Sequence, residues 1–359
     1  MELLTKTIRG IEEVEIDPQG QIRARMDKWA IPQRSLGRLE EFGLLYASIT
    51  TAPDKIIKDK VVFTMAGDHG VVEEGVSAFP QEVTKQMVEN FLRGGAAVNV
   101  LARHAGARVV VVDCSVAGEL SPGSGLKIKK IRHGTGNIAQ GPAMSREEAI
   151  KSIELGIETL EEELPQGADL VAVGDMGIGN TTPSSAILAA LSGAGIDMDI
   201  NIEEATGQGT GVNGPELAHK IDVVARALDV NKPNPNDPID VLSKVGGCEI
   251  GAIAGVCLAA ARHRRLVIID GFISSAGALL AAHIEPRVKG YLIPSHLSTE
   301  KGHRLVLERL GKRPILDLEM RLGEGTGAVL AMGLVEASVK LLSQMATFND
   351  AGVSEATSR

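Results

Sequence analysis

The chain is 359 residues long, enough for one large α/β domain or for a large domain with a small one beside it. Hydrophobic residues make up 44% of it, yet only one Trp, two Tyr and six Phe are aromatic, so the core must be built from Ala, Val, Ile and Leu. A formal charge of −9 argues against nucleic acid or an anionic membrane surface as the main partner.

Three cysteines (Cys114, Cys248 and Cys257) form no CxxC pair, and none of the eight histidines stands at HxxxH or HExxH spacing. No disulfide framework, metal site or cofactor is therefore expected. The amino terminus is too acidic and too poorly apolar for a signal peptide, and no run is long enough for a membrane span, which gives a cytoplasmic expectation. The 41 glycines gather in short loops, as in an enzyme with several substrate loops.

Residues 1–50 are predicted helical, with Leu39, Phe42, Leu45 and Tyr46 at helical spacing. The first strand, 60–66, runs into Gly67-Asp68-His69-Gly70, a polar turn where α/β sheets place ligand loops. Asp68 and His69 either face a site or organise the turn; the second reading is preferred for Asp68. After Gly75-Val76-Ser77-Ala78-Phe79-Pro80, a helix over 81–92 puts Val83, Met87 and Phe91 on one face and Gln86 off it. A helix over 96–104 and a β-branched strand over 107–113 follow. Strand and helix alternate from there, the mark of a parallel sheet with right-handed crossovers. Residues 115–145 are irregular, either a functional loop or a solvated connector. Ser145 and Glu148 then form a capping box that opens a helix over 145–163.

The third strand, 169–173, ends in Gly174-Asp175-Met176-Gly177-Ile178-Gly179-Asn180-Thr181-Thr182-Pro183, ahead of an Ala-rich helix. Glycines closed by hydroxyls at a helix N-terminus offer free N–H donors, a favourable dipole end and no Cβ in the way, so the loop reads as a phosphate cradle rather than a plain cap. No Lys follows the glycines, which excludes a Walker A loop. Gly209-Thr210-Gly211-Val212-Asn213-Gly214 fits GxGxxG, but no strand precedes it and the dinucleotide reading fails. A substrate loop stays open there. In the helix that follows, 216–228, Lys220 either reaches a phosphate or lies in solvent, the commoner fate. Residues 233–238 mark a turn, and a small-residue helix starts near Gly246. A strand over 266–270 ends in the polar turn Gly271-Phe272-Ile273-Ser274-Ser275, and one over 290–293 opens into Ser295-His296. A helix over 299–310 and a short strand over 314–318 lead to the last motif.

That motif is Arg321-Leu322-Gly323-Glu324-Gly325-Thr326-Gly327, followed by a long apolar helix. The flanking glycines free the backbone and leave open space around the acid. Taken alone, Glu324 is either the start of a helix favoured by the dipole or a carboxylate presented to a small molecule. Together with the loops at strand carboxyl ends and the phosphate cradle, it suggests an enzyme acting on a sugar phosphate or a mononucleotide.

Six blocks carry a more specific resemblance: Ser35-Leu36-Gly37-Arg38-Leu39-Glu40, Gly67-Asp68-His69-Gly70, Gly75 to Pro80, Gly174 to Thr182, Ile269-Asp270-Gly271-Phe272-Ile273-Ser274-Ser275 and Leu322 to Gly327. In kind and order they are similar to the signature blocks of the nicotinate-nucleotide–dimethylbenzimidazole phosphoribosyltransferases, which build the lower-ligand nucleotide of cobalamin. The resemblance implies a doubly wound parallel β-sheet (Rossmann-like) as a large domain over 50–305. It also implies a small helical domain from 1–49 plus 306–359, and a homodimer. It implies Glu324 as the catalytic base and a nucleotide phosphate on Gly177, Ile178, Gly179, Asn180, Thr181 and Thr182. Ser77, Gln86, Met176 and Leu322 would line the benzimidazole pocket. Asp175, Gly209, Gly211, Lys220 and Gly323 are the other substrate-binding candidates, Asp175 standing where many members are expected to carry Glu.

The chemistry agrees with those residue types. In nicotinate mononucleotide the leaving group is already a pyridinium and departs neutral at its ring nitrogen, with no general acid and no metal clamp. The acceptor, a benzimidazole-type base, must lose its N–H as its other nitrogen attacks the anomeric carbon, and a carboxylate can take that proton. A nucleotide hydrolase that releases nicotinate, or a non-catalytic mononucleotide binder, would use the same cradle.

Overall fold

The computed structural model describes residues 1–192, 201–209 and 211–354. Six parallel strands form one sheet: β1 (Lys60–Gly67), β2 (Ala107–Ser115), β3 (Leu126–Ile128), β4 (Leu170–Met176), β5 (Leu266–Ile269) and β6 (Leu292–Pro294). Their spatial order is β3-β2-β1-β4-β5-β6, with β1 paired in parallel to both β2 and β4. This is the doubly wound order, in which chain direction across the sheet reverses between β1 and β4 and ligands settle beyond the strands' carboxyl ends. The unbroken Val, Ile and Leu runs of these strands follow from burial on both faces: Val61, Val62, Phe63, Leu170, Val171, Val173 and Val267 have no exposed surface.

Helices flank the sheet in two groups. Cys248–Arg262 packs on β1, β2 and β4 and against Arg146–Glu163, whose Ser145–Glu148 capping box forms in both directions. Thr326–Gln344 packs on β1, β4 and β5 and against Arg38–Thr50 and Ala97–Ala105. Thr326–Gln344 is long and apolar enough to cross a membrane by composition, but Val329, Met332, Val335 and Val339 are buried in the main core, so it is a core helix. The two chain ends also meet in a small separate cluster of Ile22, Trp29, Ala47 and Leu342.

Several boundaries depart from the sequence reading. The strand predicted over 169–173 runs on to Met176, so Asp175 projects from a strand and not from a loop. The turn predicted over 271–275 is the first turn of helix Phe272–Ile284, because Ser274 and Ser275 turn inward and bond Val173 and His303 instead of water. The strand predicted over 290–293 starts two residues late: 290 and 291 close a 3₁₀ turn, Pro286–Tyr291, and β6 takes 292 and 293 on to Pro294. Over 314–318 there is only a bridge between His296 and Leu316, since the Ser295 N–H is donated to Ile269 of β5, and Arg38 bonds the Arg313 and Pro314 carbonyls. The edge strand β3 and helix Pro238–Val245 were not anticipated; Asp237 caps the latter through the N–H groups of Ile239 and Asp240.

Candidate active site

Beyond the carboxyl ends of β4, β5 and β6 lies a cavity of about 370 Å³, a size that suits a small ligand. Phe79, Val83, Met87, Met176, Ile178 and Leu322 supply its apolar wall, and Asp175, Asn180, Thr181, His296, Glu300, Arg321 and Glu324 its polar one.

Glu324 reaches this cavity through a strained loop. Gly323, Glu324 and Gly325 all have positive φ, +84°, +64° and +99°, and for the one residue with a Cβ that conformation costs about 1–2 kcal/mol. Three strands hold the loop in place. Thr64 of β1 donates its hydroxyl to the Glu324 carbonyl at 3.0 Å, and the Glu324 N–H donates to the Asp175 carbonyl at 3.2 Å. The Asp270 carboxylate, just past β5, accepts from the N–H groups of Gly325 and Ala328, both at 3.0 Å. The approach is close enough that a Cβ at Gly174 would run into the backbone of Glu324 and Gly325. The carboxylate of Glu324 is 5% exposed, and its Oε2 accepts from the N–H of Val98 at 3.2 Å, at the start of helix Ala97–Ala105. Burial raises its pKa and the Val98 N–H opposes part of that rise, which leaves a base stronger than an ordinary carboxylate.

Asp175 is more deeply buried and is pushed up to about 8, first by burial and then by the charge of Asp270, against a bond from Asn180 Nδ2 at 3.0 Å. Asp270 rises to about 7 through burial in spite of the backbone N–H groups around it. Those donors, at a helix N-terminus, make Asp270 the acid of the pair that keeps its charge.

At the other end, the segment after β4 turns into helix Thr181–Ser192. Gly177, Ile178, Asn180 and Thr181 line the cavity with Met176, and the Ile178 N–H is held by Thr84 Oγ1 at 3.0 Å. Gly179 and Thr182 do not line it, and Thr182 is fully buried. Gly209 lines the cavity, Gly211 does not, and Thr210 lies outside the described residues. The solvated reading of Lys220 is overturned: its side chain has no exposed surface, and Nζ donates to Thr181 Oγ1 at 2.7 Å and to the Gly207 carbonyl at 3.2 Å. Burial lowers its pKa to about 8, with Glu300 opposing. Helix Pro215–Asn231 faces the cradle here, which buries a residue type that surface frequency alone places in water.

Of the remaining candidates, Gly323 lines the cavity and Leu322 stands at its rim, 58% exposed. Ser77 lies off the wall, its hydroxyl accepting from the Phe79 N–H at 3.2 Å. Gln86 points outward, and its helix neighbours Val83 and Met87 take the wall instead. Asp68 and His69 also stay off the wall: Asp68 Oδ2 accepts from the Ala117 N–H at 2.8 Å, and His69 Nε2 is 2.7 Å from Glu249 Oε1. The sequence reading missed His296, Glu300 and Arg321 as cavity residues. Arg321 opens the motif that carries Glu324, and His296 follows a strand end, so both positions carried a usable signal. Glu300 carried none. No group of three or more metal-ligating side chains occurs among the described residues.

A family model described as phosphoribosyltransferase matches residues 11–353. The chain is 56% identical over 355 residues to the nicotinate-nucleotide–dimethylbenzimidazole phosphoribosyltransferase of Geotalea uraniireducens, covering 99% of each, and 53% identical over 357 residues to that of Geobacter sulfurreducens, again covering 99% of each. The crystal structure of CobT from Thermus thermophilus superposes with a TM-score of 0.89 at 48% identity, over 94% of this chain and 99% of that one. The chain therefore belongs to the family of the nicotinate-nucleotide–dimethylbenzimidazole phosphoribosyltransferases.

Proposed function

We propose that the protein transfers the 5-phosphoribosyl group of nicotinate mononucleotide to 5,6-dimethylbenzimidazole or a related base, giving α-ribazole 5′-phosphate and nicotinate in the assembly of the cobalamin lower ligand. Family membership supports the reaction. One observation on this chain carries the assignment of its base: a buried carboxylate of raised pKa, Glu324, in a cavity with an apolar wall on one side and buried Lys220 behind another.

The apolar wall of Phe79, Val83, Met87, Met176 and Ile178 suits a flat aromatic acceptor. The segment from Gly177 to Thr182, with Lys220 and Gly209, is assigned to the phosphate; Arg321 Nη1, 3.1 Å from the Gly209 carbonyl, adds a second positive charge there. As one acceptor nitrogen bonds the anomeric carbon, the bond from that carbon to the pyridinium nitrogen breaks and its electron pair stays with nicotinate. The acceptor's N–H proton passes to Glu324. Attack opposite the leaving group converts the β-ribosyl centre to α. Ser77 and Gln86, which the resemblance places at the benzimidazole, stand off this wall and are assigned no contact with the acceptor. The resemblance also supports a homodimer, a cytoplasmic location and a small unit formed from the two chain ends.

The test is nicotinate release, followed by chromatography, from nicotinate mononucleotide with and without 5,6-dimethylbenzimidazole. Release that requires the acceptor and yields its α-ribotide is expected. In Glu324→Gln, turnover should fall by about a hundred- to ten-thousand-fold. Release without acceptor would mark a hydrolase, and binding without release would overturn the enzyme reading.

A further inference from the structure

Two side chains that line the cavity each hold one polar atom with neither a partner nor access to solvent. These atoms are Oε2 of Glu300 and Nε2 of His296, in side chains 6% and 1% exposed. Neither is explained by its own element. Glu300 stands at the N-cap of helix Lys301–Leu310 but makes no side-chain cap bond. His296 uses only Nδ1, 2.8 Å from Ser295 Oγ, and burial drives its pKa down to about 4, so the ring is neutral. A Cβ at Gly207 would collide with Glu300 Oε2, and the Gly207 carbonyl accepts from Lys220. The carboxylate thus sits beside the ammonium assigned to the phosphate, in the same cavity as Glu324.

A buried acceptor without a donor is costly, so the atom calls for a ligand that brings one. A phosphate or the carboxylate of nicotinate would be repelled by Glu300. Sugar hydroxyls are the groups of the substrate that carry donors, and they lie between its phosphate and its anomeric carbon. We propose that Glu300, with His296 beside it, grips the ribosyl hydroxyls of the transferred group, so that this pair of residues selects ribose over deoxyribose. The inference rests on the transferase reading of the same cavity. A carboxylate bound to the 2′-hydroxyl also opposes the electron withdrawal of that hydroxyl as positive charge builds at the neighbouring carbon, so the grip tightens toward the transition state.

The test compares nicotinate mononucleotide with its 2′-deoxyribosyl analogue, each with 5,6-dimethylbenzimidazole, in wild type, Glu300→Gln, Glu300→Ala and His296→Ala. Deoxyribosyl compounds ionise more easily, so the readout is the change in the ribo-to-deoxy ratio of kcat/KM between variant and wild type. That ratio should fall on the order of 10- to 100-fold in both Glu300 variants, the ribosyl substrate losing far more than the deoxy analogue. A smaller fall, about 3- to 10-fold, is expected for His296→Ala. Equal losses on both substrates, or an unchanged ratio, would overturn the assignment for the residue concerned.

A binding arm needs no turnover. Calorimetry should show ribose 5-phosphate binding wild type more tightly than 2-deoxyribose 5-phosphate, and the two binding alike in Glu300→Ala, with inorganic phosphate binding retained. Loss of inorganic phosphate binding would make Glu300 part of the cradle and overturn the proposal. If wild type discriminates between the sugar phosphates through Glu300 yet transfers nothing, the transferase reading fails and the hydroxyl grip stands. If it transfers without such discrimination, the grip alone fails.

Discussion

Two adjacent strands, β1 and β4, carry the same four-residue pattern near their carboxyl ends: Gly67-Asp68-His69-Gly70 and Gly174-Asp175-Met176-Gly177. Their fates differ. The first is roofed over by the irregular stretch that follows β2, since Thr135 pairs with His69 and exchanges backbone bonds with Asp68 and Gly70. Beneath that roof His69 and Glu249 form a pair with almost no exposed surface. Burial alone would discharge the His69 ring, but Glu249, Asp68 and Asp175 outweigh it and hold its pKa above the ordinary value. The second pattern begins three residues earlier relative to its strand, with Gly174 opposite Thr64, so its acid leaves the sheet into the cavity. Register, and what lies over the strand end, separate a brace from a site.

The largest effect that would break this contrast comes from the sealed side. Glu249→Ala strands His69 without its carboxylate, and loss of one partner of a buried pair is expected to remove about 3–5 kcal/mol of stability in urea unfolding. The KM for nicotinate mononucleotide in the folded fraction should move less than about threefold, since neither residue reaches the cavity. Normal stability with collapsed turnover would show instead that the first pattern belongs to the site. Next in size is Lys220→Met, a neutral side chain of similar length, which should raise that KM on the order of 10- to 100-fold through loss of a charge-assisted bond. An unchanged KM would return Lys220 to a purely structural role.

The smallest effect sharpens the open side. Asp175 holds a proton in the folded protein up to about pH 8, whereas the unfolded chain releases it near 3.9. Folded protein therefore binds more protons across that interval, and stability falls as pH rises from about 4 to 8. Asp175→Asn should flatten this slope by less than about 1.4 kcal/mol per pH unit, the value of one whole proton. Thermal melts in buffers across the range read it directly, and an unaltered slope would mean that Asp175 is ionised in the fold.

Much of the architecture was legible because strands buried on both faces must read as unbroken Val, Ile and Leu runs, and because glycines punctuate them. The short edge strand β3 was not, since three residues show no period. Glu324 stood out through the glycines on both sides. Asp270 stood in one of the six blocks, but its hold on the same loop was not legible, because it acts on Gly325 and Ala328 across more than 50 positions of sequence. Glu300 sits in a stretch with no motif, and only the path of the chain after β6 brings it to the cavity beside His296. Lys220 shows the limit from the other side: its helix was predicted, yet complete cover of one face depends on partners that no local pattern names.

The anchoring of the Glu324 loop has a consequence in time. Its three tethers (Thr64 and the Asp175 carbonyl in strands, Asp270 just past one) all precede the acid in the chain, so they are synthesised before it. A nascent chain can lay down all six strands and the segment assigned to phosphate before it carries the proposed base. The following helix, Thr326–Gln344, covers one face of β1, β4 and β5, so the sheet gains its cover and the cavity its Glu324 carboxylate in the same docking step.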